Sequence, residues 1–241
     1  MSRELYGILI GAITLIILFA WMPLFILGVA LLSFLIGKEL SEKLELPDFS
    51  YPAFFSPIIF SLSQALGGLY VFLVSFMYAY RRGELESFFR AVFVLLYTGF
   101  LASFLVLIKG SGTYNLVALV FGVWVSDILA YYIGKRFGTT PLFPDISPRK
   151  TVEGFVSGTI GGALTVSLFF WEEALTFFLI GVFTVCFGVA GDYLKSFIKR
   201  YLGIKDFSKA LGEHGGFTDR FDSLLFSAPI FYWFLTTVDK I

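Results

Sequence analysis

Residues 174–222 read ALTFFLIGVFTVCFGVAGDYLKSFIKRYLGIKDFSKALGEHGGFTDRFD, and the fold is decided by how abruptly this stretch changes character. From Ala174 to Leu194 the only charged side chain is Asp192. That length matches the roughly 20 apolar residues a helix needs to cross the hydrocarbon of a bilayer. Beyond it, Lys199, Arg200, Lys205, Asp206, Lys209, Asp219, Arg220 and Asp222 crowd together with His214, the only histidine of the chain. A membrane protein that gathers its charge in one place is usually marking its site.

The rest of the chain extends the first half of that pattern. It is 57% hydrophobic and only 15% charged over 241 residues, with a mean hydropathy of +0.84. Soluble domains run at about 45–50% apolar and about 25% charged. A polytopic integral membrane protein is therefore expected. Eighteen basic residues balance eighteen acidic ones, so no global field points to nucleic acid as a partner. Cys186 stands alone in an apolar run and reads as a small buried hydrophobe rather than a reactive thiol. The N-terminal apolar run lacks a clear cleavage site and is followed at once by another, so it reads as a retained span.

Nine spans are expected: Leu5–Ala20, Pro23–Gly37, Tyr51–Leu66, Gly67–Tyr80, Phe88–Ile108, Tyr114–Gly134, Val152–Trp171, Ala174–Leu194 and Phe221–Val238. The third is weakest, because Pro52, Pro57 and several serines interrupt it. Lipid offers the backbone no hydrogen-bond partners, so long continuous runs of this kind form helices and the fold class is all-α. Nine spans with a cytoplasmic N-terminus leave only Lys109 and Lys240 of the eighteen Lys and Arg residues on the outer side. That asymmetry is the one the positive-inside rule demands. The chain reads as one integral membrane domain. Residues 1–110 are nearly free of ionisable groups inside their spans and read as scaffold, and residues 113–238 carry the acids and the cytoplasmic loops of a catalytic part.

Four acids fall near cytoplasmic span ends: Asp127, Asp192, Asp219 and Asp222. The last two are three residues apart and share a helix face. Carboxylates held at one depth repel unless a cation lies between them. Oxygen donors without a histidine or cysteine cluster suit Mg²⁺ better than zinc. The competing reading pairs each acid with a nearby base, such as Asp219 with Arg200. Basic residues supply the complement: Arg149 and Lys150 in one cytoplasmic loop, Lys199, Arg200, Lys205 and Lys209 in the other. Positive-inside topology and anionic headgroups account for some of them. They leave unexplained Gly215-Gly216, set between a histidine and an acid, where glycine permits close approach to a phosphate and the amides opening the ninth span could hold an anion. His214 by itself is more often a loop hydrogen-bonding residue than a base.

These residues carry a resemblance. SFIKR from Ser196, Lys205-Asp206, and HGGFTDRFD from His214 resemble the signature of the phosphatidate cytidylyltransferases, or CDP-diacylglycerol synthases. Gly191-Asp192, SPRKTVEG (147–154), Asp127, Tyr131 and GKRFG (134–138) resemble the same family, so the likeness covers about residues 120–225. The chain departs from it at Lys195, where the family commonly has Glu, and at Ile128-Leu129, where it has Thr-Gly. The first departure removes a carboxylate from beside the acids.

The resemblance implies a cytoplasmic-membrane enzyme, multi-pass, with its active site facing the cytoplasm. It would convert CTP and phosphatidic acid to CDP-diacylglycerol and pyrophosphate. A two-cation site, Mg²⁺ with a second cation, would be held by Asp192 and Asp219, with Asp222 as a further ligand or support and Asp127 as an additional candidate. Lys199, Arg200, Lys205 and Arg220 would hold phosphates. Ser147, Lys150 and Thr151 would close the other wall, with His214, Gly215 and Gly216 alongside. It also implies a homodimer. Other readings are a CTP-dependent polyprenol kinase, an ether-lipid cytidylyltransferase and, outside enzymes, a transporter, which would place its charges at the membrane midplane.

Overall fold

The computed structural model describes residues 3–46, 49–212 and 215–238, with side chains from residue 11 onward. It is helical almost throughout, as expected of an all-α membrane protein. The helices are α1 (Arg3–Phe19), α2 (Met22–Lys43), α3 (Ser50–Leu62), α4 (Gln64–Arg82), α5 (Leu85–Leu95), α6 (Leu101–Ser111), α7 (Thr113–Phe137), α8 (Val152–Phe169), α9 (Ala174–Tyr201) and α10 (Thr218–Val238). A π-helical turn, Leu96–Phe100, joins α5 to α6 in one continuous rod. Among the described residues six helices are long and apolar enough to cross a membrane: α2, the α5–α6 rod, α7, α8, α9 and α10. Helix α3 has 13 residues and Pro57 inside it, in keeping with its weak reading as a span.

Where helix ends differ from the expected spans, the cause is local. The break expected at Leu66–Gly67 falls at Ser63, whose side chain accepts a hydrogen bond from the Leu66 N–H and caps α4. Helices α2 and α9 run several residues past their apolar windows, to Lys43 and Tyr201. Hydropathy ends a span where charge begins, but backbone hydrogen bonds carry a helix on through the headgroup region.

The chain forms two compact units: residues 1–111 with 206–220, and residues 112–205 with 221–241. In the first, Gly37 of α2 meets Ala53 of α3, and the π-turn is held from two sides. Ser33 donates to the Thr98 carbonyl at 2.7 Å, and Ser56 to that of Leu95 at 3.3 Å. A π-turn loosens the regular ladder, and these two buried hydroxyls reach carbonyls there.

In the second unit α7 and α8 run antiparallel along two ladders of small residues. Gly122, Ser126, Ala130 and Gly134 recur every four residues on α7, as Gly154, Gly158 and Gly162 do on α8. A Cβ on Gly154 would lie 2.6 Å from the Ala130 carbonyl oxygen, one on Gly158 2.8 Å from that of Ser126, and one on Gly162 2.7 Å from that of Gly122. The backbones therefore touch along three successive turns. In lipid, where apolar burial between helices contributes little, such small-residue contact is a main source of association. Helix α9 continues the packing through Gly181 against Ala163, and through Gly188 and Gly191 against Ser223, Ser227 and Phe226 of α10. A two-stranded antiparallel hairpin, β1 (Pro141–Phe143) and β2 (Ser147–Thr151), fills the connection between α7 and α8.

Gly158→Leu is expected to destabilise the second unit by about 1–3 kcal/mol, the usual cost of overpacking, read as a lowered apparent Tm in detergent. Gly68→Ala, at a position with nothing within 4 Å, should leave the Tm unchanged. Equal melting of the two variants would refute the ladder as a packing determinant.

Candidate active site

The first turn of α8 sets up the site. Thr151 caps that helix, its hydroxyl accepting the Gly154 N–H at 3.2 Å. The cap is possible because Gly134 and Gly138 carry no side chain: a Cβ on them would fall 3.0 and 2.5 Å from the Thr151 hydroxyl. Glu153 accepts from the Thr139 hydroxyl at 2.6 Å, and Arg200 donates to the Ile146 carbonyl at 3.3 Å, tying the hairpin turn to the end of α9. Lys150 is thereby carried to α9.

There the charges meet. The Lys195 ammonium lies 2.8 Å from Asp192 Oδ1 and 2.7 Å from Asp222 Oδ2, bridging α9 and α10. Lys150 pairs with the other Asp192 oxygen and stands over the Tyr193 ring, 4.6 Å from its centroid. Phe143 of β1 packs edge-on against that ring. Burial, reinforced by the Lys195 charge, lowers the Lys150 pKa to about 8, with Asp222 and Asp127 pulling the other way. Lys150 thus stays mostly charged at neutral pH. The Lys195 side chain is 10% exposed and that of Asp222 4%, so neither charge is solvated by bulk water.

A cavity of about 740 Å³ opens beside this cluster. Asp127, Lys135, Ser147, Arg149, Lys150, Thr151, Asp192 and Tyr193 line it, with the glycines 134, 138 and 154 in its wall. Its size is that of a site for a nucleotide-sized ligand. Three of the four expected acids, Asp127, Asp192 and Asp222, belong to this unit, and all three act on Lys150.

Asp219 belongs to the first unit. Its Oδ2 accepts the N–H groups of Phe207 at 3.1 Å and Gly216 at 3.0 Å, closing the loop that precedes α10. Gly215 takes a left-handed φ of 81° there, which glycine adopts without strain. His214 lies outside the described residues. The amides opening α10 do hold an anion, and it is the chain's own. Glu39 Oε1 accepts from Phe217 N–H at 2.8 Å and from the Ser208 hydroxyl at 2.6 Å. Its Oε2 accepts from the Thr218 N–H and hydroxyl, both at 2.8 Å. Gly216 is required at this point, since a Cβ would sit 2.5 Å from both carboxylate oxygens. Arg220 and Lys205 are exposed beside the loop.

Glu39 was not among the residues expected from sequence, because residues 1–110 read as scaffold. Extending the second span beyond Gly37 at helical period would have placed it on the face of Ile36 and Leu40, both buried.

The fold and the cavity define a helical, multi-pass membrane protein with a charged, nucleotide-sized cavity near the ends of apolar helices. The chain belongs to the cytidylyltransferase family, which it matches over residues 1–238, and it is a nucleotidyltransferase. It is 49% identical over 235 residues to the phosphatidate cytidylyltransferase of Aquifex aeolicus, covering 96% of this chain and 90% of that one. It is 35% identical to the enzyme of the same name from Bacillus subtilis, over 58% of this chain and 55% of that one. The one from Thermotoga maritima is also 35% identical, over 56% and 54%.

Removing Glu39 leaves buried amides without their acceptor. Glu39→Ala is expected to cost on the order of 3 kcal/mol, seen as a lower Tm and as faster tryptic cleavage after Lys205 and Lys209. Cleavage at the wild-type rate would count against this anchoring role.

Proposed function

We propose that the chain makes CDP-diacylglycerol and pyrophosphate from CTP and phosphatidic acid, at the cytoplasmic face of the cytoplasmic membrane. The supporting observation is the cavity of the second unit, which sets Lys135, Arg149 and Lys150 against Asp127 and Asp192 at the ends of apolar helices. One substrate is a soluble polyanion and the other is anchored by acyl chains, so the reaction has to run where such charges meet lipid.

An oxygen of the phosphatidate phosphate attacks the α-phosphorus of CTP, and the bond from that phosphorus to the bridging oxygen of the β-phosphate breaks. The attacking oxygen is already anionic near neutral pH, so no strong general base is needed. Positioning and charge neutralisation carry the catalysis. Lys150, held by Asp192 and Tyr193, presents an ammonium to the triphosphate. Arg149 and Lys135 extend the basic wall, and Lys199 and Arg200 add charge at the end of α9. Thr151 contributes by capping α8, which fixes Lys150, and Ser147 presents a hydroxyl to the cavity.

Asp192 and Asp222 suit a magnesium ion. Their carboxylates already gather one cation, the Lys195 ammonium, within 2.8 Å of each, and an all-oxygen pair matches the preference of Mg²⁺ for few carboxylates plus phosphate and water, so the ion would lie beside that ammonium rather than in its place. Among the described residues no three His, Cys, Asp or Glu side chains gather to enclose an ion by themselves, so water or substrate oxygens would supply the other ligands. When bound, the ion supplies charge neutralisation on the triphosphate and its leaving group. A homodimer is proposed on the family resemblance.

Purified protein given α-labelled CTP, phosphatidic acid and Mg²⁺ should carry label into the lipid extract and release pyrophosphate. EDTA should stop the reaction and excess Mg²⁺ restore it. Asp192→Asn should lower kcat by about 100-fold or more. Release of CDP with γ-phosphate transfer to a polyprenol would instead identify a lipid kinase.

A further inference from the structure

The carboxylates of Asp192 and Asp222 sit on two different helices, and a cation already lies between them: the Lys195 ammonium, 2.8 Å from one and 2.7 Å from the other. Lys195 is on α9 one turn beyond Asp192, a spacing that carries its side chain back along the helix toward that acid. Its side chain is 10% exposed, so the ammonium has left bulk water to make this bridge. Lys150 occupies the remaining Asp192 oxygen. The acids of the second unit are therefore balanced by the chain's own ammonium groups.

We propose that Lys195 is a tethered counter-cation that takes the place of one metal ion at the Asp192–Asp222 pair, so that the site takes a single divalent cation rather than two. The chemistry is that of like charges in a low-dielectric place. Two carboxylates facing one position at the end of a membrane helix require positive charge there. A lysine on the same helix supplies it permanently, at no dependence on ion concentration. Lys195 acts through the two acids it holds and is a positioning residue. A glutamine at this place leaves Asp222 without its ammonium partner and Asp192 with Lys150 alone, a deficit of positive charge that recruits an ion from solution.

The inference rests on the reading above only in treating Asp192 and Asp222 as cation ligands. Mn²⁺ titration followed by electron paramagnetic resonance, on full-length protein in detergent without nucleotide, tests it. Lys195→Gln should bind one more Mn²⁺ per chain than wild type, or bind Mn²⁺ at least tenfold more tightly, and Lys195→Arg should return to the wild-type isotherm. Equal stoichiometry and affinity in wild type and Lys195→Gln overturn the proposal. So does a wild type that binds two ions. Should Lys195→Gln not fold, the wild-type count alone decides: one ion supports the proposal, and two ions or none refute it. CDP-diacylglycerol formation by wild type, measured in parallel, reports on the reaction alone. A wild type without that activity whose Lys195→Gln variant still gains an ion would sink the reaction and leave the counter-cation standing.

Discussion

Backbone contact between α7 and α8 is the constraint on which the second unit depends. Three glycines of α8 lie against carbonyl oxygens of α7, at distances that admit no side chain. Contact this close has a consequence beyond adhesion. The residues at one end of the ladders, Ser126, Ala130, Gly134 and Gly154, also line the cavity. A wall of hydrogens and methyl groups leaves that volume open, where leucines at the same positions would fill it. The packing that joins the helices and the space that admits a ligand thus come from one choice of residue size.

Charge is the second constraint, and the chain meets it by pairing. Isolated ionised groups are costly near hydrocarbon, and burying a pair is tolerable only with good geometry and further partners. Asp192 has Lys195 on one oxygen and Lys150 on the other. Asp222, 3% exposed, has Lys195. Glu39, 5% exposed, has four donors from a loop distant in sequence. The same logic produces two different results. Around Glu39 every contact is spent inside the protein, which makes an anchor. Around Lys150 a partly exposed ammonium faces a cavity, so part of its charge is left for something outside the chain.

Much of this was legible in the sequence. The all-α membrane class followed from composition and run length, and the family from the pattern after Gly191. Asp127, Asp192 and Lys150, picked out from their positions near span ends, do line one cavity. What escaped depended on partners far apart in the chain. Glu39 hid because hydropathy closes a span at the first charge, while the helix continues and turns that residue inward. Lys195 was visible only as a departure from a family pattern. Its bridge requires knowing that Asp222 of another helix comes within reach. The small-residue ladders are explicit in the sequence, and their period of four is readable without a structure; the facing register, which sets Gly158 against Ser126, is not.

The helix N-terminus of α10 illustrates why residue type alone underdetermines role. Glycines ahead of a helix start with basic residues nearby describe a phosphate site equally well as an internal carboxylate clasp, since both use the same amides and the same dipole. The difference lies in which anion is tethered at high local concentration. Glu39 is, and it engages two successive amides and two hydroxyls at 2.6–2.8 Å. A diffusible phosphate competing for those amides would have to displace a carboxylate that is already buried and fully engaged. Such a ligand meets far less resistance at Lys150, Arg149 and Lys135, where donors face open space. Electrostatics and tethering together therefore make the loop before α10 a clasp that holds the fold, and leave the basic residues of the hairpin before α8 facing a cavity.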